Sequence, residues 1–149
     1  MNNINSLFML TILLGVMHTS PLKAQDAEEV IRAAKGAVEA LNNKDAEAYM
    51  NYLDPGFTRF LPQNPGLLKH NDVQSMKDNF DDGMKFNMQL EDLDAAMYGN
   101  IAVVNGFETG PARFPDGSIM DGKRKYSSVW AYEKGQWKMV HLHISLVGE

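Results

Sequence analysis

The sequence predicts an α+β protein in which three helices precede a curved, mostly antiparallel sheet. Two observations support this prediction. Apolar residues recur at helical spacing as far as Gly83, and beyond it they alternate with the period of two that is typical of strands. Because the strands follow the helices instead of alternating with them, the pattern favours α+β over α/β. Helices packed on one face of a bent sheet leave an open end, where we expect a pocket.

The first two helices have recognisable start signals. Asp26 and Glu29 form an N-cap pair, and the apolar residues that follow at helical spacing are Val30, Ala34, Ala37, Val38 and Leu41. Asp45 is suited to cap a short second helix from Ala46 to Leu53. Asp54-Pro55-Gly56 is expected to end that helix, because proline lacks the backbone donor that a helix needs.

A short strand and a third helix are predicted next. Phe57 to Leu61 is expected to form the strand, and Pro62 to Gly66 a loop. Asn71 and Gln74 make an N-cap pair for the third helix, which stops near Gly83.

The remaining sequence predicts the rest of the sheet. Apolar residues alternate from Met84 to Met97, but they change parity at Glu91-Asp92, so a β-bulge is expected to bend one long strand there. A longer loop is predicted from Gly110 to Gly122, where glycine and proline cluster. The other predicted strands are Ile101 to Thr109, Lys123 to Glu133 and Trp137 to Leu146, of which the last two form a hairpin across Lys134-Gly135.

Residues 1–24 resemble a secretory signal peptide. A polar start is followed by an apolar run from Leu7 to Met17 and by a polar segment that ends at Ala24. The apolar run has about half of the ~20 residues that a membrane-spanning helix needs. We therefore expect an exported protein, periplasmic or secreted, without membrane attachment once the signal is removed. The alternative is a buried or frayed N-terminal helix.

The net charge and the amino-acid composition limit which binding partners and which covalent cross-links are expected. The formal net charge is −5, and loss of residues 1–24, which contain Lys23 and no acid, makes it about −6. Nucleic acid is therefore not expected as a partner. The sequence contains no cysteine, so neither disulfides nor thiol chemistry is available.

Several motifs at both ends of the predicted domain resemble the association (hub) domain of calcium/calmodulin-dependent protein kinase II. These motifs are Glu39 to Asp45, Glu47-Ala48-Tyr49, Asp54-Pro55-Gly56, Val129-Trp130 and Val140 to His143. Such domains belong to the nuclear-transport-factor-2-like superfamily, which includes the SnoaL-like branch. The resemblance implies that residues 25–149 form one cone-shaped domain that encloses a pocket and self-associates, as a homodimer or a larger ring. It does not imply a kinase, since the chain has no room for a catalytic domain of that kind.

The resemblance also implies which positions line the pocket. The tyrosine of the hub pocket corresponds to Tyr49, and its histidine to Gln74. Three positions that carry arginine in hub domains are Glu108, Ser128 and Ile144 in this chain. Because these guanidinium groups are replaced, weak binding of simple carboxylates is expected.

Alternation along the predicted strands places further residues on the pocket side. Arg124, Tyr126 and Ser128 share one parity, so Glu108 is expected to face Arg124 and Tyr126 across neighbouring strands. One hypothesis is a buried carboxylate with a perturbed pKa that serves as a general base or holds a ligand. The other is a cross-strand ion pair at the rim of the pocket.

His141 and His143 lie two residues apart on a predicted strand and point to one face, as two metal ligands could. No third ligand is evident from the spacing, so structural histidines are favoured. We predict neither a metal nor a cofactor. Trp137 and Met139 share the parity of these histidines, and the four are expected to form an apolar outer face through which copies associate.

The sequence therefore predicts an exported, self-associating protein that binds a small ligand without catalysis. The predicted pocket residues are Tyr49, Gln74, Glu108, Arg124, Tyr126, Ser128 and Ile144. One alternative is a SnoaL-like enzyme that uses Glu108 as acid and base and Tyr126 as a hydrogen-bond donor to an oxyanion. Another alternative is a purely structural scaffold protein whose pocket is vestigial.

Overall fold

A computed structural model describes residues 27–69 and 72–148. The predicted signal peptide at residues 1–24 lies outside the described residues, as do the predicted caps Asp26 and Asn71. Among the described residues, no helix is both long enough and apolar enough to cross a membrane.

The three predicted helices are present in the described chain: α1 (Ala27–Asn42), α2 (Ala46–Asn51) and α3 (Val73–Asp81), and two strands of the sheet lie between α2 and α3 in the chain. The side chain of Asp45 caps α2 by accepting a hydrogen bond of 2.9 Å from the backbone N–H of Ala48. The prediction that α2 extends to Leu53 is wrong, because Leu53 is already paired with a strand. In α3, Asp72 accepts from the N–H of Ser75 at 2.7 Å, so the cap lies one residue after the predicted position.

Nine strands are present in the described part of the chain. In chain order they are β1 (Leu53–Leu61), β2 (Asn64–Lys69), β3 (Lys85–Phe86), β4 (Gln89–Tyr98), β5 (Ile101–Thr109), β6 (Ala112–Arg113), β7 (Ile119–Met120), β8 (Arg124–Glu133) and β9 (Gln136–Leu146). Six of them form one sheet in the order β2-β1-β9-β8-β5-β4, in which only the β1–β9 pairing is parallel. The other three form a small sheet in the order β3-β6-β7. The predicted α+β architecture with a mostly antiparallel sheet is confirmed.

Three connections differ from the prediction. Residues 64–66, expected in a loop, belong to the edge strand β2. The predicted long strand from Met84 to Met97 is divided into β3 and β4, and the predicted loop from Gly110 to Gly122 contains β6 and β7. A strand of two residues is too short to show alternation of apolar and polar side chains. In β2, Pro65 and Gly66 interrupt the alternation, so the sequence did not indicate a strand there.

The predicted bulge in β4 is confirmed. Glu91 pairs with Phe107 and Asp94 with Asn105, so two residues of β4 lie opposite Gly106 alone. Asp92 has a φ of 51°, in the left-handed region. A bulge increases the local twist of a strand and bends it.

A second bulge lies in β9 and was not predicted. Val129 pairs with His141 whereas Trp130 pairs with Met139, so Val140 is the extra residue. The bulge moves the side chains before it to the opposite face of the sheet. Trp137 and Met139 are therefore buried in the core, and the prediction that they share the outer face with the two histidines is wrong.

The core lies between the helices and the inner face of the six-stranded sheet. Its largest fully buried apolar side chain belongs to Trp130, and Val30 of α1, Phe57 of β1 and Val104 of β5 are buried around it. Met76 and Phe80 of α3 belong to the same core, so all three helices pack against the sheet through it.

Candidate functional site

A cavity opens between the helices, the small sheet and the inner face of the large sheet; we refer to it as the inner cavity. The part of this cavity that the centre of a water molecule can occupy has a volume of about 70 Å³. Since one water needs roughly 10–15 Å³ on this measure, the space admits several waters or a small organic molecule. Apolar side chains form most of its wall, including Met76, Met84, Met88 and Met120. The polar lining residues are Tyr49, Arg59, Asn79 and Glu108.

Glu108 and Arg124 form the cross-strand ion pair that the sequence predicted as one alternative, but the pair is buried and does not lie at an exposed rim. The Nε of Arg124 donates to Oε2 of Glu108 at 2.9 Å, across neighbouring positions of β5 and β8. Arg124 is 0% exposed and also donates to the carbonyl oxygens of Gly110 (2.8 Å) and Gly122 (3.0 Å). These two glycines begin and end the segment that contains β6 and β7. Arg124 is thus engaged with the protein itself and does not line the inner cavity.

The carboxyl group of Glu108 has a perturbed protonation equilibrium. Glu108 is 5% exposed, and burial raises the pKa of its carboxyl group, because the charged form loses hydration. The hydrogen bond from Arg124 and the charge of that side chain act in the opposite direction. Burial is the larger effect. The carboxyl group of Glu108 therefore lies in the wall of the inner cavity and takes up a proton more readily than the carboxyl group of an exposed glutamate.

Two buried tyrosines lie near this pair. Tyr49 on α2 lines the inner cavity, and burial raises the pKa of its hydroxyl, while the neighbouring Arg59 lowers it. Burial also raises the pKa of Tyr126 on β8. Both hydroxyls therefore remain protonated at neutral pH and can act as hydrogen-bond donors.

Arg59 is a charged residue of the cavity wall that is not in the predicted pocket. It lies on β1 opposite Leu142 of β9. Its Nε is buried without a hydrogen-bond partner among the described residues, and no acidic side chain of that part of the chain forms an ion pair with it. The alternation of Phe57, Arg59 and Leu61 on β1 is the signal that could have identified it.

The structure brings together only part of the predicted pocket. Tyr49, Glu108 and Ile144 line the inner cavity. The others lie elsewhere: Arg124, Tyr126 and Ser128 are buried within the wall, where the hydroxyl of Ser128 accepts from Nε1 of Trp130 at 2.8 Å. Gln74 lies on the exposed side of α3 and donates to Asp78, so it is outside the cavity.

The two histidines of β9 lie on the outer face of the sheet, which we define as the side opposite the helices. Nδ1 of His141 is 2.9 Å from the hydroxyl of Thr58, and the ring of Phe60 contacts the rings of both His141 and His143. Among the described residues, no group of three or more potential metal-ligating side chains is present.

Comparison with known proteins identifies relatives. A model of a family described as SnoaL-like domain matches residues 17–149. The δ subunit of calcium/calmodulin-dependent protein kinase II from Oryctolagus cuniculus is 29% identical over 135 residues, which cover 79% of this chain and 23% of that protein. The chain thus spans about a quarter of the length of this curated relative.

Solved structures with the same fold include the hub of calcium/calmodulin-dependent protein kinase II from S. rosetta. It has a TM-score of 0.64 and 27% identity, covering 82% of this chain and 97% of that one. A nuclear-transport-factor-2-like protein from Cytophaga hutchinsonii has a TM-score of 0.69 and 15% identity, covering 80% of this chain and 97% of that one. The predicted resemblance to this superfamily and to hub domains is confirmed.

Proposed function

The chain belongs to the SnoaL-like domain family, and on that basis we propose that it is an exported, self-associating protein that binds a small ligand in the inner cavity and catalyses no reaction. The observation that carries this proposal is the inner cavity itself, an apolar space with a few polar groups in its wall. Sites for small molecules have this composition, because apolar surface supplies affinity and a few polar groups set orientation.

Calorimetric titration with indole tests ligand binding, since indole is small and largely apolar. We expect indole to bind the protein and to raise its melting temperature. Leu142→Phe should fill part of the cavity and weaken binding, whereas Leu67→Phe, on the exposed edge strand β2, should leave it unchanged. No binding to the natural protein, or equal binding to the Leu142 variant, would contradict the proposal.

Self-association is supported by the outer face of the sheet. Thr58, His141, Val129 and Val103 lie in one row across four strands and are all half-buried in the single chain. Phe60 is 39% exposed beside this row. A second copy that presents the same face would cover this surface through a two-fold axis, as symmetric dimers do. Relatives described as hub and association domains support the same assignment.

Light scattering tests this interface. We expect a mass of at least two subunits at micromolar concentration. Val129→Asp should shift the mass towards the monomer, because it places a charge in the centre of the covered face. Ile119→Asp, on the exposed strand β7, is the matched control and should retain the assembly. A monomer of the natural protein, or equal assembly of both variants, would refute the interface.

Export is proposed from the signal-like pattern of residues 1–24. Sequencing the N-terminus of protein from the cell envelope or the medium should begin within a few residues of Gln25. An intact Met1 on protein from the cytoplasm would refute it.

A second candidate function is a SnoaL-like enzyme with Glu108 as acid and base. The observation that favours it is the buried carboxyl of Glu108 in the cavity wall, since burial raises its pKa above the ordinary value and a carboxyl that holds its proton more tightly can act as a general acid. Proton exchange of a small ketone in deuterated water, followed by NMR, distinguishes the two functions. Exchange that is accelerated by the natural protein and lost in a folded Glu108→Gln variant would favour the enzyme.

A further inference from the structure

We propose that the protein has a second binding site, for a neutral saccharide, in an open groove between α1, the end of α2 and the turn from β8 to β9. We refer to it as the hairpin groove. Its wall includes the polar side chains of Glu29, Asn51, Tyr52, Gln136 and Trp137. The part that the centre of a water molecule can occupy has a volume of about 430 Å³, so it admits a larger ligand than the inner cavity does. The two sites share no lining residue, so this inference does not depend on the proposed function.

The first argument is a buried hydrogen-bond donor without an acceptor. Trp137 is 4% exposed, and its Nε1 is buried with no hydrogen-bond partner among the described residues. The other tryptophan differs, because Nε1 of Trp130 donates to the hydroxyl of Ser128 at 2.8 Å. Buried polar groups in folded proteins nearly always have a partner, and an indole N–H can only donate. A ligand that satisfies Trp137 must therefore carry an acceptor.

The second argument is that the other polar groups of the wall have different requirements. Glu29 is half-buried on α1, and its carboxylate, which can only accept, forms no ion pair with the described residues. The adjacent Glu28, by contrast, pairs with Arg32. The side-chain amides of Asn51 and Gln136 both donate and accept. A hydroxyl group also does both, so a ligand with several hydroxyls satisfies all of these groups and Trp137.

The third argument concerns the charge of the ligand. The described residues that line the hairpin groove include one acid, Glu29, and no lysine, arginine or histidine. An anion is therefore disfavoured. Beside the groove, the ammonium group of Lys138 donates to the backbone carbonyl oxygen of Asn51, so a cation would lie near a charge of its own sign. These two charges together favour a neutral ligand.

The fourth argument concerns the shape of the groove. Gly36, inside α1, makes room for Tyr52, because a Cβ at this position would collide with the tyrosine hydroxyl. Glycine inside a helix is destabilising relative to alanine, and here it lets the Tyr52 ring span the space between α2 and α1. Ala33, Ala48 and Gly135 add only small groups to the lining. The wall thus combines an aromatic ring with hydrogen-bonding groups, which suits the mixed C–H and O–H surface of a sugar.

NMR of ¹⁵N-labelled protein tests this proposal, because the sequence contains two tryptophans and each gives one indole N–H signal. The probes are the methyl glycosides of glucose, galactose, mannose and N-acetylglucosamine, together with tetrahydropyran, a ring of the same size without hydroxyl groups. We expect at least one glycoside to shift the Trp137 signal, because its N–H gains an acceptor. The Trp130 signal should stay in place, because that N–H already has a partner. Tetrahydropyran should shift neither signal.

Two adjacent glutamates of α1 provide matched variants. Glu29→Ala should weaken binding of that glycoside at least about tenfold, because a hydrogen bond to a charged group contributes more than the equivalent of tenfold. Glu28→Ala, outside the groove, should retain binding. Leu142→Phe, which fills part of the inner cavity, should retain it as well.

No shift of the Trp137 signal with any of the four glycosides would overturn this inference, and that measurement needs no variant. An equal shift with tetrahydropyran would overturn the assignment to hydroxylated ligands. Equal binding to the Glu28 and Glu29 variants, or loss of binding in Leu142→Phe, would overturn the assignment to the hairpin groove. Indole binding to the inner cavity is measured separately, so the proposed function stands or fails independently of these results.

Discussion

Arg124 joins three parts of the molecule at the scale of single residues. Its guanidinium contacts the carboxylate of Glu108 and the carbonyl oxygens of Gly110 and Gly122. It therefore holds both ends of the segment that carries β6 and β7 against the large sheet. Phe114 and Met120 of that segment line the inner cavity, so the ion pair also positions part of the cavity wall.

Removal of both members of this pair should be less damaging than the two single removals added together. Glu108→Leu leaves the guanidinium of Arg124 buried without its counter-charge, which should lower the free energy of unfolding by about 3–5 kcal/mol. The double variant Glu108→Leu/Arg124→Met should lose less than the sum of the two single losses. Urea unfolding of the four proteins measures this coupling. Additive losses would show that the pair is not coupled.

The raised pKa of Glu108 predicts a pH dependence of stability. The folded-state pKa lies above the ordinary value of 4.5 because burial disfavours the carboxylate. The folded state thus binds the proton more tightly than the unfolded state. The stabilisation that comes from this tighter proton binding is fully present below about pH 4.5 and is lost as the pH rises through the folded-state pKa. The difference in unfolding free energy between the natural protein and Glu108→Gln should fall over this range, and a constant difference would contradict the shift.

The two bulges have the largest consequences at the scale of elements. The bulge in β4 requires Gly106 opposite it. A Cβ at this position would lie 2.7 Å from the carbonyl oxygen of Glu91 and 2.7 Å from Cδ2 of Leu93. Gly106→Ala should therefore cost about 1–3 kcal/mol in the free energy of unfolding. Gly66→Ala, whose Cβ would meet only Oδ1 of Asn64 at 3.4 Å, is the control. Equal stability of the two variants in urea would refute this role of Gly106.

The bulge in β9 determines what a substitution of Trp137 does. Trp137 is 4% exposed and packs edge-on against Tyr132, with 5.2 Å between the ring centroids. Trp137→Glu should unfold the protein by placing a charge in the core, whereas His143→Glu, on the outer face of the same strand, should fold. Circular dichroism checks both variants. A folded Trp137→Glu variant would contradict the assignment of Trp137 to the core.

Sequence patterns predicted the elements that are long enough to show a period. The stripe of α1, the parity change at Glu91-Asp92 and the turn at Lys134-Gly135 all correspond to observed features. The parity change at Val140 was not recognised, because Trp137, Met139, His141 and His143 are compatible with one continuous face. Because the bulge at Val140 was not recognised, Trp137 and Met139 were assigned to the surface although they lie in the core.

The candidate site was only partly predictable for a similar reason. Tyr49, Glu108 and Ile144 were placed by resemblance, and they do line the inner cavity. Gln74 was placed by the same reasoning but lies outside it, because the helical phase of α3 turns that side chain to the surface. The alternation of Arg59 with Phe57 and Leu61 indicates the inner face of β1, but the parallel pairing of β1 with β9 that sets its surroundings is a long-range contact that local spacing does not reveal.

In the whole molecule, the six-stranded sheet contributes to both proposed properties: its inner face to ligand binding and its outer face to self-association. The inner face contributes Arg59, Glu108 and Ile144 to the wall of the inner cavity. The outer face carries the row from Thr58 to Val103 that a second copy would cover. Ligand binding and self-association would then be linked through the same strands.

Native mass spectrometry of protein purified from its own host tests the central claim most directly, because one spectrum reports both the number of subunits and any retained small molecule. We expect an assembly of at least two subunits, each with a polypeptide mass that lacks about the first 24 residues and with a bound small molecule that is released on activation. A monomer of full length without a bound molecule would contradict it.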